Sequence, residues 1–70
     1  MTTDDYWLAI SHRYRVKVRM LAERQKISTA RAFRNIIYNL KHEIRLKQNG
    51  YFCGYLTGRQ IENMIDLVSR

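Results

Sequence analysis

The 70-residue sequence has one cysteine, three glycines, no proline and few acidic side chains, six against thirteen Lys and Arg. The lone cysteine, Cys53, excludes an intrachain disulfide. Folding therefore does not depend on an oxidising compartment, and we expect a cytoplasmic protein. No apolar run approaches the roughly 18 residues that span a membrane, so we do not expect a membrane protein.

The sequence also lacks the residue patterns on which common enzymes and metal sites are built. No motif ties a serine or cysteine to a histidine, and no glycine-rich loop is present to cradle a phosphate. His12, His42 and Cys53 do not have a recognisable metal-ligand spacing. Cys53 lies among aromatic residues, where a thiol usually serves packing. We expect neither an enzyme nor a bound cofactor or metal.

What the chain does have is an uneven positive charge. Residues 1–48 hold eleven basic and four acidic side chains, and they account for the whole net charge of +7, because residues 49–70 hold two of each. A polyanionic partner would be drawn to the first two thirds of the chain. The plainer interpretation is a solvated basic surface. Seventy residues form one domain at most, with a thin core, so a homodimer or a partner is also expected.

The stretch HRYRVKVRML, residues 12–21, alternates apolar and basic side chains as a strand does. A wider window favours a helix, because apolar residues on both sides of the stretch share one arc of roughly 120° at helical spacing. Asp4 and Asp5 suit the start of that helix. We therefore predict a helix over residues 4–26 whose apolar arc comprises Trp7, Ile10, Tyr14, Val18, Leu21 and Ala22.

The second helix is predicted over residues 29–47. Ser28 is a suitable N-cap, and Asn49-Gly50 supplies a left-handed stop. The apolar side chains between them form the cleanest amphipathic pattern in the sequence. They are Phe33, Ile36, Ile37, Leu40 and Ile44.

A third helix is predicted over residues 58–69. Thr57 with Gln60 matches a capping box, and Leu56 with Ile61 matches its hydrophobic staple. The sequence does not specify the structure of residues 49–57, and residues 51–56 are compatible with either a loop or a short strand. The sequence thus predicts a single all-α domain over residues 1–70, a small three-helix bundle whose first two helices form an antiparallel hairpin.

The leading functional hypothesis concerns the outer face of the second helix. Basic and polar residues recur there at intervals of three and four, opposite the apolar arc, with Asn35 and His42 at the border. Such a face could neutralise phosphates and reach base edges in a major groove. We expect a nucleic-acid-binding regulator or accessory factor that uses Arg31, Arg34, Asn35, Tyr38, Lys41 and Arg45, with Arg13, Lys17 and Arg24 on the first helix.

The rival hypothesis is a protein-binding module, an inhibitor or adaptor that docks on an acidic surface of a larger protein. Small basic helical proteins from phages and mobile elements often work in this way. Tyr, Met and Arg are also enriched at interfaces. The expected contact residues are a second apolar stripe and the aromatic connection that follows the second helix: Ala9, Val16, Met20, Tyr51, Phe52 and Tyr55.

Two DNA-binding motifs fit poorly. In a helix-turn-helix, Lys26 would occupy the usual glycine position, and Gln25 and Asn35 would occupy apolar ones. In a ribbon-helix-helix, only the six residues LAERQK would remain for the middle helix. Neither motif is the basis of the nucleic-acid hypothesis.

Overall fold

The computed structural model describes residues 2–47 and 54–70, and these ranges contain four α-helices and no strand. The helices are α1 (Thr3–Ala9), α2 (His12–Gln25), α3 (Thr29–Lys47) and α4 (Gly58–Val68). The predicted all-α class is confirmed, whereas the predicted count of three helices is wrong. The helix expected over residues 4–26 is two helices that meet at a corner.

The corner lies at Ile10 and Ser11, whose backbones are both extended. Ser11 is the N-cap of α2, and its carbonyl oxygen accepts the amides of Tyr14 and Arg15. The break has a packing reason. In one straight helix, Tyr6 would fall outside the predicted apolar arc, whereas the corner lets both Tyr6 and Ile10 enter the core.

The short helix α1 is closed at both ends by side chains. At its start, the hydroxyl of Thr2 accepts the amide of Asp5, while the carboxylate of Asp5 accepts the amide of Thr2 at 2.9 Å. At its end, the guanidinium of Arg15 donates to the carbonyl oxygens of Trp7 and Leu8. These bonds satisfy backbone groups that a seven-residue helix leaves without internal partners.

α2 and α3 are joined by three residues and pack against each other. Lys26 ends α2 in the left-handed conformation, with φ 59°, and the amide of Ile27 bonds back to the carbonyl of Ala22. The hydroxyl of Ser28 accepts the amide of Arg31, which confirms Ser28 as an N-cap. The antiparallel direction of the two helices stays a prediction.

α4 begins as predicted. The hydroxyl of Thr57 accepts the amide of Gln60, and the side chain of Gln60 accepts the amide of Thr57 at 2.8 Å. Leu56 and Ile61, the predicted staple pair, are both buried. Gly58 approaches α1 so closely that a Cβ added there would lie 2.4 Å from the carbonyl oxygen of Ala9.

The core is centred on α3, which contacts each of the other three helices. Phe33, Ile36, Ile37 and Leu40 are buried as predicted, and Ile44 packs against them partly buried. Trp7 meets Phe33 edge-on, with ring centroids 5.0 Å apart. Burying a side chain of this size stabilises the fold by roughly 1.5–3 kcal/mol. One face of α3 is thereby fixed inward, and its opposite face is fixed outward.

None of the helices in the described ranges is both long enough and apolar enough to cross a membrane. The same residues contain no group of three or more His, Cys, Asp or Glu side chains placed to hold a metal ion. Cys53 lies outside the described residues.

Candidate nucleic-acid interface

The outer face of α3 carries the basic stripe that the sequence predicts. Residues three and four positions apart on a helix share one side, and the inward side of α3 is occupied by the core. On the outward side, five of the six predicted residues are exposed and the sixth, Lys41, is half-buried. This surface, named the α3 basic face below, consists of Arg31, Arg34, Asn35, Tyr38, Lys41 and Arg45.

The α3 basic face is short of negative charge. In residues 2–47 and 54–70, no carboxylate lies within ion-pairing distance of Arg31, Arg34 or Arg45. Glu43, the one acid of α3, pairs instead with Lys47 at 3.2 Å. Like charges along one helix face repel each other, so an anionic ligand would relieve a repulsion that the fold leaves uncompensated.

Lys41 differs from the other cations of the α3 basic face. Its ammonium group lies 5.4 Å from the ring centroid of Tyr6, which is buried in the core. This is cation–π geometry. Lys41 therefore borders the core and the solvent at once.

The aromatic member of this surface is Tyr38, and His42, one turn later, lies at its border. Their rings are parallel to within 1°, with centroids 6.5 Å apart. Tyr38 is 70% exposed and His42 is exposed as well. Two flat side chains thus face solvent in a common orientation within the basic stripe.

One of the three predicted flank residues on α2, Lys17, is engaged in the fold. The ammonium of Lys17 lies 2.6 Å from one carboxylate oxygen of Asp66 on α4, and the hydroxyl of Tyr14 donates to the other at 2.8 Å. Arg13 and Lys17 also lie over the Tyr14 ring, 5.9 and 5.0 Å from its centroid. Arg13 and Arg24 are both exposed, and neither has a carboxylate at ion-pairing distance among the described residues.

The contacts among Lys17, Asp66 and Tyr14 change the pKa values of two of these side chains. The hydrogen bonds from Lys17 and then from Tyr14 lower the pKa of Asp66, because both favour the carboxylate. The hydrogen bond to Asp66 raises the pKa of Tyr14, because the phenol must keep its proton to donate. Near neutral pH, Asp66 is therefore ionised and Tyr14 is protonated, which are the forms that make the contact between α2 and α4.

Lys17 and Arg24 line an open groove of about 570 Å³ between α2 and the end of α4. Met20, which is 58% exposed, lies between them, and Asp66 and Arg70 complete the rim. The structure thus brings two of the predicted phosphate-binding residues to the α4 side of α2. Their joint action with the α3 basic face stays a prediction.

Four of the six predicted protein-contact residues lie in the described part of the chain. The stripe Ala9, Val16 and Met20 assumed a continuous helix, and the corner takes Ala9 out of register with the other two. Val16 is half-buried, and Tyr55 is 71% exposed. Tyr51 and Phe52 lie outside the described residues.

Sequence reasoning missed the partners of the α2 cations. Arg15 and Lys17 look like surface charges in the sequence, but one closes α1 and the other holds Asp66, which is 49 residues away in the chain. No local sequence pattern predicts a contact between residues so far apart in the chain. Ser11, a residue type common at N-caps, was the one local signal for the corner.

Comparison of the chain with protein-family models, with curated proteins and with solved structures returned no match.

Proposed function

We propose that this protein binds nucleic acid through the α3 basic face, in a regulatory or accessory role rather than a catalytic one. The observation that carries the proposal is that Arg31, Arg34 and Arg45 are exposed with no acidic partner among the described residues. Cations that serve the fold, such as Arg15 and Lys17, are bonded to carbonyl or carboxylate oxygens. Unpaired guanidinium groups on a rigid helix are suited to phosphate oxygens, which they can contact through two parallel hydrogen bonds.

Binding would draw its free energy mainly from the release of counterions condensed on the nucleic acid. Each phosphate that a cation neutralises contributes about −0.9 to the slope of log affinity against log salt for a duplex, and about −0.7 for a single strand. Arg31, Arg34 and Arg45 would supply such contacts along one side of α3. Asn35 beside them could hydrogen-bond a base edge.

The test compares two triple variants that remove equal charge. Arg31→Ala/Arg34→Ala/Arg45→Ala removes three cations from the α3 basic face, whereas Arg19→Ala/Arg59→Ala/Arg70→Ala removes three exposed cations elsewhere. Fluorescence anisotropy with labelled DNA and RNA, as single strands and duplexes, gives affinity at several salt concentrations. We expect the α3 variant to lose roughly a hundredfold in affinity near 0.1 M salt and its salt slope to fall by about 2 to 3.

The control variant should lose much less. Equal losses in the two triple variants would mean that net charge alone attracts the ligand, and an unchanged affinity in the α3 variant would refute the proposal. A loss that is the same for every base sequence would assign the three arginines to phosphate contacts.

A second candidate is docking on an acidic protein surface, and the groove beside Met20 favours it. An exposed methionine between Lys17 and Arg24 offers a flexible apolar contact flanked by positive charge.

The test of this second candidate is a pull-down after nuclease treatment with wild type and Met20→Asp in parallel. A stoichiometric partner that survives nuclease and is lost from the variant supports docking; loss of all partners on nuclease treatment supports the nucleic-acid proposal. Light scattering settles whether a homodimer forms.

A further inference from the structure

We infer that Tyr38 and His42 form a stacking platform for an unpaired nucleobase, so that the ligand of the α3 basic face is single-stranded. This inference rests on the proposed function and narrows it to one class of nucleic acid. It starts from the common orientation of the two rings, 1° from parallel, on an exposed part of α3.

The two rings cover each other only in part. Their centroids are 6.5 Å apart, near the upper end of the range of about 4.5–7 Å for aromatic pairs. Each ring therefore leaves part of its face available to another partner. Tyr38 is 70% exposed, so its ring is not packed on the core. Apolar ring faces are left to water at the centre of the basic stripe.

The charges around the platform fit a strand that follows the helix. Arg34 lies one turn before Tyr38, and Arg45 lies about one turn after His42. Aromatic faces flanked by cations are what sequence-tolerant single-strand binding requires, since bases stack on the rings while the backbone follows the positive charge. Every base has a face that can stack, so the platform demands no particular sequence.

A duplex would gain little from this platform. Its base faces are covered by neighbouring base pairs, and a helix in its groove meets only base edges and phosphates. The parallel rings therefore favour a single strand over a duplex, although both ligands offer the same phosphates. An unpaired base in a DNA strand and one in an RNA loop present the same face, and the probes below separate these two sources.

The experiment uses four fluorescent probes of 12 nucleotides per strand: single-stranded DNA, single-stranded RNA, a DNA duplex, and a DNA strand whose bases are replaced by abasic sites. The protein variants are Tyr38→Ala/His42→Ala, which removes both rings, and Tyr38→Phe, which keeps the ring and removes the hydroxyl. Both positions are exposed, and alanine favours helix, so the fold is expected to persist; circular dichroism checks this.

We expect wild type to bind the natural single strands at least about fivefold more tightly than the abasic strand, since stacking contributes at that level for each base. The double variant should lose this advantage, and its affinity for the duplex should fall less than its affinity for the natural single strands. Tyr38→Phe should behave as wild type. The stronger of the DNA and RNA strands identifies the source of the base.

Equal affinity of wild type for natural and abasic strands would overturn the inference, and so would a double variant that is unaffected or equally weakened on the duplex. The proposed function fails differently. It fails if wild type binds none of the probes, or if Arg31→Ala/Arg34→Ala/Arg45→Ala binds as well as wild type.

Discussion

Two basic side chains of α2 are bonded within the fold, whereas three arginines of α3 have no acidic partner among the described residues, although the sequence presents all five alike. On α2, Arg15 closes the end of α1 and Lys17 holds Asp66 on α4. On α3, Arg31, Arg34 and Arg45 have no acidic partner among the described residues. A cation that is already bonded within the fold is a poor candidate for a ligand. Counting basic residues therefore overstates the surface that a polyanion can use.

The comparison also predicts which changes cost stability. The corner and its contacts with α4 are held by hydrogen bonds and packing between residues that are far apart in the chain. The arginines of the α3 basic face, in contrast, make no ion pair among the described residues. Changes in the first region should lower the free energy of unfolding, and changes in the second should not. The four predictions that follow run from the largest expected effect on stability to the smallest.

Gly58→Ala should have the largest effect, a loss of roughly 1–3 kcal/mol in the free energy of unfolding. The added methyl would lie 2.4 Å from the carbonyl oxygen of Ala9, which is backbone and cannot move aside as a side chain can. Urea denaturation measures the loss. Asn63→Ala, at an exposed position of α4, is the control and should be neutral or slightly stabilising. A stabilised Gly58→Ala variant would show that the corner and α4 are not closely packed.

Arg15→Ala should lower the free energy of unfolding by about 1 kcal/mol, because the carbonyl oxygens of Trp7 and Leu8 lose their charged donor. Arg19→Ala, one turn further along α2 and exposed, removes the same charge and should stay within about 0.5 kcal/mol of wild type. Thermal melts of the two variants side by side give the answer. Equal melting temperatures would mean that Arg15 does not hold α1.

Stability should depend on pH through Asp66 and Tyr14. The lowered pKa of Asp66 gives a stabilisation that is present above about pH 4, the usual carboxyl pKa, and is lost as pH falls through the folded-state pKa. The raised pKa of Tyr14 gives one that is present below about pH 10 and is lost as pH rises through its folded-state pKa.

The variant Asp66→Asn tests both limbs of that dependence. The urea midpoints of wild type and variant should differ most between those two pH values and converge outside them. The difference should be small, because the pair is partly exposed and screened by solvent. A constant difference at all pH values would assign it to packing instead of charge.

The smallest effect on stability is expected on the α3 basic face. Arg31→Ala/Arg34→Ala/Arg45→Ala should change the free energy of unfolding by no more than about 0.5 kcal/mol, because these side chains make no ion pair in the described residues. Alanine also has the higher helix propensity. A marked loss on urea denaturation would mean that the arginines support the fold, and the contrast with α2 would disappear.

The sequence was informative wherever structure depends on neighbours along the chain. The caps at Ser28 and Thr57 and the buried face of α3 follow from spacing and residue type, and all are present. The corner at Ile10 was missed because periodicity runs through it, and the choice between one helix and two depends on where α3 and α4 lie.

One part of the candidate site could also be predicted from the sequence, and another part could not. The α3 basic face could be predicted, because a helix with one clear apolar side must expose the other. The α2 flank could not be assessed from sequence, because the partner of Lys17 is Asp66 near the far end of the chain. The common orientation of Tyr38 and His42 depends on side-chain torsions, which spacing alone does not specify.

The corner has a consequence for the order of folding. The groups that secure α1 and the corner come from later in the chain: Arg15 on α2, Phe33 on α3, and Gly58 and Glu62 on α4, the last accepting the amide of Ser11 at 2.9 Å. When the chain is made by a ribosome, α1 emerges first. Its docking site is complete only after α4 has been synthesised, so α1, which precedes the other three helices in the chain, cannot be fully secured until all of them have emerged.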